Sequence, residues 1–598
     1  MNIKTFDERL KLGNGDYDRL VNSRKPEGID DKKAYIIGTG LAGLSAAGFL
    51  VKDAKMDPKN IVFLEKDDVA GGALDGHYLA DMGYVARGGR EMGHHFEVLW
   101  DLFSVIPSRE DPDMSILDYL YYTNLDDPNY SNCRITQNQG ERYDNGKFNL
   151  SKDVIKEIVR LVLTPDEKLQ GVSVEEILSD EFIASDFWTY YRTMFAFENW
   201  HSALELKLYI NRFIHHVGGL PNLSALQFTR YDQYESIVVP MMDWLKDMGV
   251  ETKYNYNVED IEFDITSSKK VATKIVASDS KTGEDKSINL TENDLVFVTT
   301  GSLVESSSYG DNKRAPSLDI DTDESFRLWK NIAKKSDDFG RPEVFTSDID
   351  KSNWESATIT VKSKKIAYYI QKITKRSPYT GKVVTGGIVT ALDSSWLMSW
   401  TINRQGQYID QPEDEFAVWV YALFTDKVGD YINKPMKECT GEEITKEWLY
   451  HLGVPTDEIE ELAKETSSVP VFMPFITAQF MPRSFGDRPY VVPKNAVNFA
   501  FLGQFVETLD DPGRDTVFTT EYSGRCAMEA VYVLTGVEKK VPEVFASRYD
   551  LRYMLDAASI LNDGEKPDLD LPLAAKAVIG KKIKGTEIEK MLKEYNLI

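Results

Sequence analysis

The feature that most restricts the fold of this 598-residue chain lies near its start, where Gly38, Gly40 and Gly43 space as GxGxxG within AYIIGTGLAGLSAAGFL. An apolar run precedes the glycines and a helix-forming run comes after them, so the segment reads as buried strand, tight turn and helix. A second apolar run, Ile61 to Glu65 (IVFLE), completes a βαβ unit. Small residues here let the backbone approach a pyrophosphate held at the helix N-terminus. Ala47 lets the helix lie close on the sheet, and Glu65 ends the second strand, where a carboxylate accepts ribose hydroxyls. An acid at that point disfavours a 2'-phosphate, so NADP is not expected. A glycine turn without a ligand would not require strand, helix and acid to agree as they do.

The choice between FAD and NAD turns on glycines further along the chain. Gly71 and Gly72 come soon after Glu65, and two later apolar runs, LVFVTTG ending at Gly301 and FAFLGQF containing Gly503, each reach a glycine. Two-domain flavoproteins share this arrangement, which favours FAD partly by likeness.

The intervening stretches define the organisation. Residues 1–32 read as an irregular lead-in, and 1–150 as that arm plus the first part of the dinucleotide domain. Apolar residues at three and four spacings between Asp153 and Ile214 predict a helical insertion over 151–220 that contributes to a substrate cavity. Alternating runs over 250–264 and 270–290 predict a strand meander within 221–310, the second part of the dinucleotide domain. Residues 311–490, rich in tryptophan, read as a mixed substrate domain, 491–540 as the last dinucleotide segment, and 541–598 as a C-terminal lobe. The fold class is therefore α/β, with a Rossmann-like FAD-binding core assembled from discontinuous segments.

A formal net charge of -26 excludes general attraction to nucleic acid, because a polyanion would be repelled over most of the surface. Cys133, Cys439 and Cys526 lie far apart without neighbouring histidines, so neither a zinc site nor a disulfide framework is indicated, and reduced buried thiols are expected. No apolar stretch approaches a bilayer-spanning length and the first residues lack a secretory pattern, which places the chain in the cytoplasm. From Lys576 to Tyr595, lysines alternate with apolar residues at roughly helical spacing. In the simpler reading this is a surface helix packed on the body. A lipid substrate would raise the alternative, peripheral contact with an anionic membrane.

Taken together, GTGLAGLSAAGFL, RGGREM (Arg87 to Met92), ENWHSALELKLYINRFIHH, RYDQYESIVVP, FLGQF and RDTVFTTEYS resemble, in order and over nearly the whole chain, the oleate hydratase family, also called myosin-cross-reactive antigens. The resemblance implies a flavin fold with a helical cap and a C-terminal helical lobe, homodimeric and acting on free unsaturated fatty acids in bacteria. It implies Glu91 as the carboxylate that activates water and Tyr209 as the proton donor to the alkene. Read singly, Glu91 would be an ion-pair partner of Arg87 or Arg90, and Tyr209 a half-buried helix aromatic. Gln233, Thr477 and Gln479 resemble the family's head-group site, although family members carry asparagine at the third position and histidine where Arg483 stands. The expected FAD contacts are Gly38, Gly40, Leu41, Ala42, Gly43, Glu65, Lys66, Gly72, Arg90, Met92, Val258, Gly301, Ser302 and Gly503, with no metal. The resemblance also places the RGGREM loop beside the isoalloxazine ring.

Hydration needs a proton delivered to one alkene carbon while water, relieved of its own proton, attacks the other. The electron count of the substrate does not change, so FAD is expected to act without net redox turnover. Most aromatics near Trp396–Trp400 and in 472–481 are expected to be core, the remainder tunnel. Two rivals remain: a flavin oxidoreductase of the amine oxidase or carotenoid desaturase type, and a non-enzymatic surface protein.

Overall fold

The computed structural model of the chain describes residues 24–74, 76–79, 82–89, 91–143, 146–508, 517, 519–545, 547–564, 581 and 583–594. The first apolar run forms the strand Lys33–Ile37 at the centre of a five-stranded parallel sheet, in the order Phe499–Leu502, Asp294–Thr299, Lys33–Ile37, Ile61–Leu64, Glu251–Lys253. Ile36 lies between Phe297 and Phe63 in register, and all three are fully buried. Continuous apolar strands are what a sheet covered on both faces requires. Four of its strands are the apolar runs read from the sequence, and the fifth, Glu251–Lys253, is not one of them.

Helix Leu41–Lys52 leaves the glycine turn so close to it that a Cβ on Gly43 would stand 2.3 Å from the Gly38 carbonyl oxygen. Two more contacts of this kind occur nearby. A Cβ on Gly48 would meet Leu102 at 2.8 Å, and one on Gly524, in helix Thr520–Thr535, would meet Leu99 at 2.8 Å. Small residues thus let helix Glu97–Phe103 nest against two partners. Its N-terminus is held by a buried carboxylate, because Val98 and Leu99 donate their backbone N–H groups to Glu521 at 3.1 and 3.0 Å. Negative charge is favoured where helix N–H groups are otherwise unpaired, and the contact fixes where the chain emerges from residues 87–93.

The predicted meander is present as an antiparallel sheet of Tyr256–Ile265, Lys270–Asp279 and Ile288–Asn289, except that Glu251–Lys253 joins the parallel sheet instead. A second large sheet has eight strands. Trp354–Val361 lies within it, antiparallel to both Thr466–Met473 and Phe416–Ala422. Its far edge is built from residues before 150. Ile135–Gln137 pairs in parallel with Val389–Ala391, and Glu141–Arg142 lies beyond it at the edge, so these strands belong to the substrate sheet. In RITQNQGER the strands are too short to show an alternating pattern.

Between them lies the helical insertion, with Lys152–Leu163, Asp180–Ile183, Asp186–Phe195 and Ala203–Arg212. Ser151, Ser179, Ser185 and Ser202 each cap one of these helices, the side chain accepting from a backbone N–H three residues on. Helix Leu551–Leu561 packs on the turn Ile214–Gly219, where Ile560 would contact a Cβ on Gly218 at 2.9 Å. All three cysteines are buried. Among the described residues no helix is long and apolar enough to cross a membrane.

Gly43→Ala is expected to destabilise the chain by about 1–3 kcal/mol through overpacking against backbone. Gly40→Ala, where a Cβ would meet nothing within 4 Å, is expected to unfold at the parent temperature. Thermal unfolding of the two variants without added dinucleotide checks the contrast.

Candidate active site

A cavity of about 1090 Å³ begins at the glycine turn and extends between the two sheets into the helical insertion. Gly38, Gly40, Leu41, Ala42, Glu65, Lys66, Gly72, Met92, Val258, Gly301, Ser302 and Gly503 all line it. Gly43 does not, because its missing side chain serves the packing of helix on turn. Arg90 lies outside the described residues.

At this end the lining is largely backbone. Gly40 and Gly71 form an isolated parallel bridge, Gly71 N–H donates to the Thr39 carbonyl at 3.2 Å, and a Cβ on Gly72 would stand 3.2 Å from the Gly40 Cα. Two glycine segments thus face one another with no side chain between them, which leaves room for a diphosphate beside the N-terminus of helix Leu41–Lys52. Glu65 accepts from the Thr39 N–H at 2.9 Å, the Thr39 hydroxyl at 2.5 Å and the Asp67 N–H at 3.1 Å. Burial nonetheless holds its pKa above the usual carboxylate range.

Residues 86–91 connect this end to the chemistry. Ala86 N–H donates to the Thr358 hydroxyl of the second sheet at 2.9 Å, and Arg87 donates to the Gly72 carbonyl at 2.7 Å. The loop is therefore pinned to both domains. Glu91 folds back over Gly89, whose added Cβ would lie 2.6 Å from its Oε1. Toward the second sheet the Glu91 carboxylate faces Tyr421, whose phenol is raised above its ordinary pKa first by burial and, among smaller effects, by the Glu91 charge. Tyr421 donates its hydroxyl to the Thr193 carbonyl of the insertion.

Tyr209 comes from the opposite wall, on helix Ala203–Arg212, and is 1% exposed. Phe195, Phe197 and Phe480 surround its ring edge-on at 5.2, 5.2 and 5.4 Å between centroids. Both Glu91 and Tyr209 line the same cavity.

The three expected head-group residues fare differently. Gln479 lines the cavity, and both its side-chain amide atoms are buried without a partner. Thr477 is beneath the surface of the cavity and donates its hydroxyl to the Ser352 carbonyl at 3.1 Å. Gln233 precedes the π-helical turn Tyr234–Val238 and is not in the lining. Arg483 is not in the lining either. Its guanidinium is buried between Glu205 at 2.6 Å and Glu507 at 2.7 Å, with Arg488 also 3.2 Å from Glu205. Glu205 sits one turn before Tyr209, so this ion cluster ties the tyrosine helix to the 478–488 segment.

Several lining residues carry no sequence signal. Trp354, Trp419 and Tyr421 form one aromatic group, with centroids 4.7 to 6.1 Å apart, and Phe187, Tyr191 and Phe195 form another. Helical spacing in DFWTYYRTMF could have suggested the second group; strand alternation hides the first. Trp396 and Trp400 are core, as most aromatics there were expected to be. Four of the seven histidines, His94, His95, His215 and His216, meet at the junction of the 91–95 segment, the tyrosine helix and the C-terminal lobe. Among the described residues, Asp430, Glu447 and His451 have the spacing of metal ligands, but Glu447 already accepts three backbone N–H groups at 2.7 to 2.9 Å.

A family model described as the MCRA family matches residues 31–532. An oleate hydratase of Streptococcus pyogenes serotype M49 (strain NZ131) is 48% identical over 591 residues, covering 98% of this chain and 99% of the relative. The chain belongs to the MCRA family. A linoleate hydratase of Lactiplantibacillus plantarum is 30% identical over 541 residues, covering 84% of this chain and 94% of its own. A solved putrescine oxidase with putrescine bound aligns at 13% identity with a TM-score of 0.48, covering 84% of this chain and 99% of that one. Within the MCRA match lie both large sheets, the glycine turn, Glu91 and Tyr209.

The buried charges make two outcomes measurable. Arg483→Met leaves Glu507 without its cation and Glu205 with Arg488 alone, and is expected to cost about 3–5 kcal/mol in denaturant unfolding. In the histidine group, burial first and neighbouring His and Arg212 charges second push His215 down to about 2 and His216 to about 3. The unfolded chain, with histidines near 6.5, then binds more protons than the folded chain below that pH. The contribution of these two histidines is therefore complete above pH 6.5 and falls on acidification, by about 1.4 kcal/mol per pH unit for each group. Unfolding midpoints measured from pH 7.5 to 5 check this, and His215→Phe should flatten the profile.

Proposed function

We propose that this chain is a fatty acid hydratase, a hydro-lyase that adds water to a cis double bond of a free unsaturated fatty acid such as oleic or linoleic acid. The observation that carries the reading is that Glu91 and Tyr209, from different domains, line one cavity whose other end has the backbone lining of a dinucleotide site. Membership of the MCRA family and the two named hydratases support it.

FAD is the group the dinucleotide end fits, held by the backbone around Gly38–Ala42 and Gly72 and by Glu65 at the ribose. When bound it would supply a fixed polar environment beside residues 87–91 rather than electrons, because the substrate is neither oxidised nor reduced. The chain's own residues carry the proton movements. Tyr209 gives its hydroxyl proton to one alkene carbon, and Glu91 accepts a proton from the water that attacks the other. The phenylalanines around Tyr209 keep bulk water from the alkene, so the water consumed is one held at the carboxylate. Gln479, buried and unpartnered, is the head-group donor that the geometry supports best among the three expected. A homodimer, a cytoplasmic location and peripheral membrane contact through the C-terminal segment complete the proposal. Ile588 is 45% exposed there among lysines, while residues 576–580 lie outside the described set.

An oxidoreductase of the amine oxidase type is the alternative, since it would use the same dinucleotide end. FAD-loaded protein incubated with oleic acid in heavy-oxygen water under nitrogen decides between them by mass spectrometry. A hydroxy acid carrying one label is expected, with turnover reduced at least a hundredfold in both Glu91→Gln and Tyr209→Phe. Unlabelled product accompanied by flavin bleaching would install the oxidoreductase reading instead.

A further inference from the structure

Tyr191 is unusual among the residues of the cavity wall. Only 3% of it is exposed, its hydroxyl is buried without any hydrogen-bond partner, and its surroundings are aromatic: Phe187 at 5.7 Å, Phe195 at 4.8 Å and Phe197 at 6.1 Å between ring centroids. A phenylalanine would fill the same space without an unsatisfied polar atom, so the hydroxyl brings the folded chain nothing in the absence of a ligand. Phe195 and Phe197 also flank Tyr209, each at 5.2 Å. The two tyrosines therefore share these two rings as neighbours, and both line the cavity.

We infer that the Tyr191 hydroxyl is a binding subsite for an alcohol on the acyl chain, the secondary hydroxyl that hydration itself creates. This subsite presupposes the hydratase reading. The chemistry of the wall selects the group. Methylenes offer a phenol nothing to bond. A carboxylate has better company at Gln479, whose unpartnered side-chain amide lines the cavity and whose backbone carbonyl accepts from Arg488 at 2.8 Å. An alcohol both donates and accepts, as a phenol does, and it is the one polar atom that the reaction places in mid-chain. The alkene carries no such atom, so Tyr191 discriminates product from substrate: it holds the hydroxy acid for the reverse reaction and slows its release. No atom is transferred at this subsite, and the residue acts by binding alone.

The test compares Tyr191→Phe with the parent, both FAD-loaded and full length, by calorimetric titration with oleic acid and with the purified hydroxy acid that its hydration yields. Loss of one hydrogen bond should weaken hydroxy acid binding about five- to tenfold. Oleic acid affinity should stay within twofold, and the unfolding temperature should be unchanged or raised. Dehydration of the hydroxy acid at low concentration should fall by the same factor as its affinity. Equal weakening of both ligands, or no change in either, overturns the subsite while leaving the hydratase reading intact. A parent enzyme that neither hydrates oleic acid nor binds the hydroxy acid overturns both.

Discussion

The contact on which the remainder depends is that of helix Leu41–Lys52 with its own entry turn, where Gly43 leaves no space for even a methyl group above the Gly38 carbonyl. Because the helix starts there, its N-terminus points along the groove between Gly40 and Gly72, and the Gly71–Gly72 segment can bridge to Gly40. That bridge presents the Gly72 carbonyl to Arg87, and Arg87 holds the loop that ends in Glu91. A packing constraint in the core of the parallel sheet is thus transmitted, through two backbone contacts and one charge-assisted hydrogen bond, to the position of a carboxylate in another part of the cavity.

Tyr209 is positioned by independent means. Its helix is capped by Ser202 and anchored by the buried cluster of Glu205, Arg483, Glu507 and Arg488, each on a segment remote from the glycine turn. Buried ion clusters contribute little net stability relative to apolar packing, but breaking one is severe. That asymmetry suits a place where orientation matters more than stability. The two supports touch where Arg212, at the end of the Tyr209 helix, donates to the His95 carbonyl at 3.0 Å, and again at Tyr421, which is bonded to Thr193 and faces Glu91.

The glycine turn was legible because its constraints are local: glycines, flanking apolar runs and Glu65 all lie within residues 34–65 and each has its own physical reason. The parallel strands were legible for the same cause, since full burial on both faces leaves an apolar run. The second sheet was not, because Ile135–Gln137 and Val389–Ala391 are three-residue strands paired across more than two hundred positions. Trp354 and Trp419 were also invisible as a wall, since strand alternation does not say which apolar face meets a cavity and which meets the core. Arg483 was noticed for its sequence context, yet its burial between two carboxylates depends on three distant segments. Gln233 and Thr477 show the converse: a motif carries residue identity, whereas access to the cavity depends on Thr477 bonding to Ser352 and on a π-helical turn after Gln233.

The enclosure of Tyr209 bears on how an alkene can be protonated by a phenol at all. A phenol of ordinary acidity is a weak donor to an unactivated double bond, and an aromatic surround disfavours isolated charge further. A stepwise path would create a carbocation and a phenolate together in a region lined by Phe195, Phe197 and Phe480, the least favourable place for separated charge. On the proposed roles, the path that avoids this moves both protons in one event, from Tyr209 to carbon and from water to Glu91, so that the growing charge at carbon is met by the attacking oxygen as it forms. On the proposed roles, a carboxylate on one wall and a phenol held by a buried ion cluster on the other meet the geometric condition for such coupling.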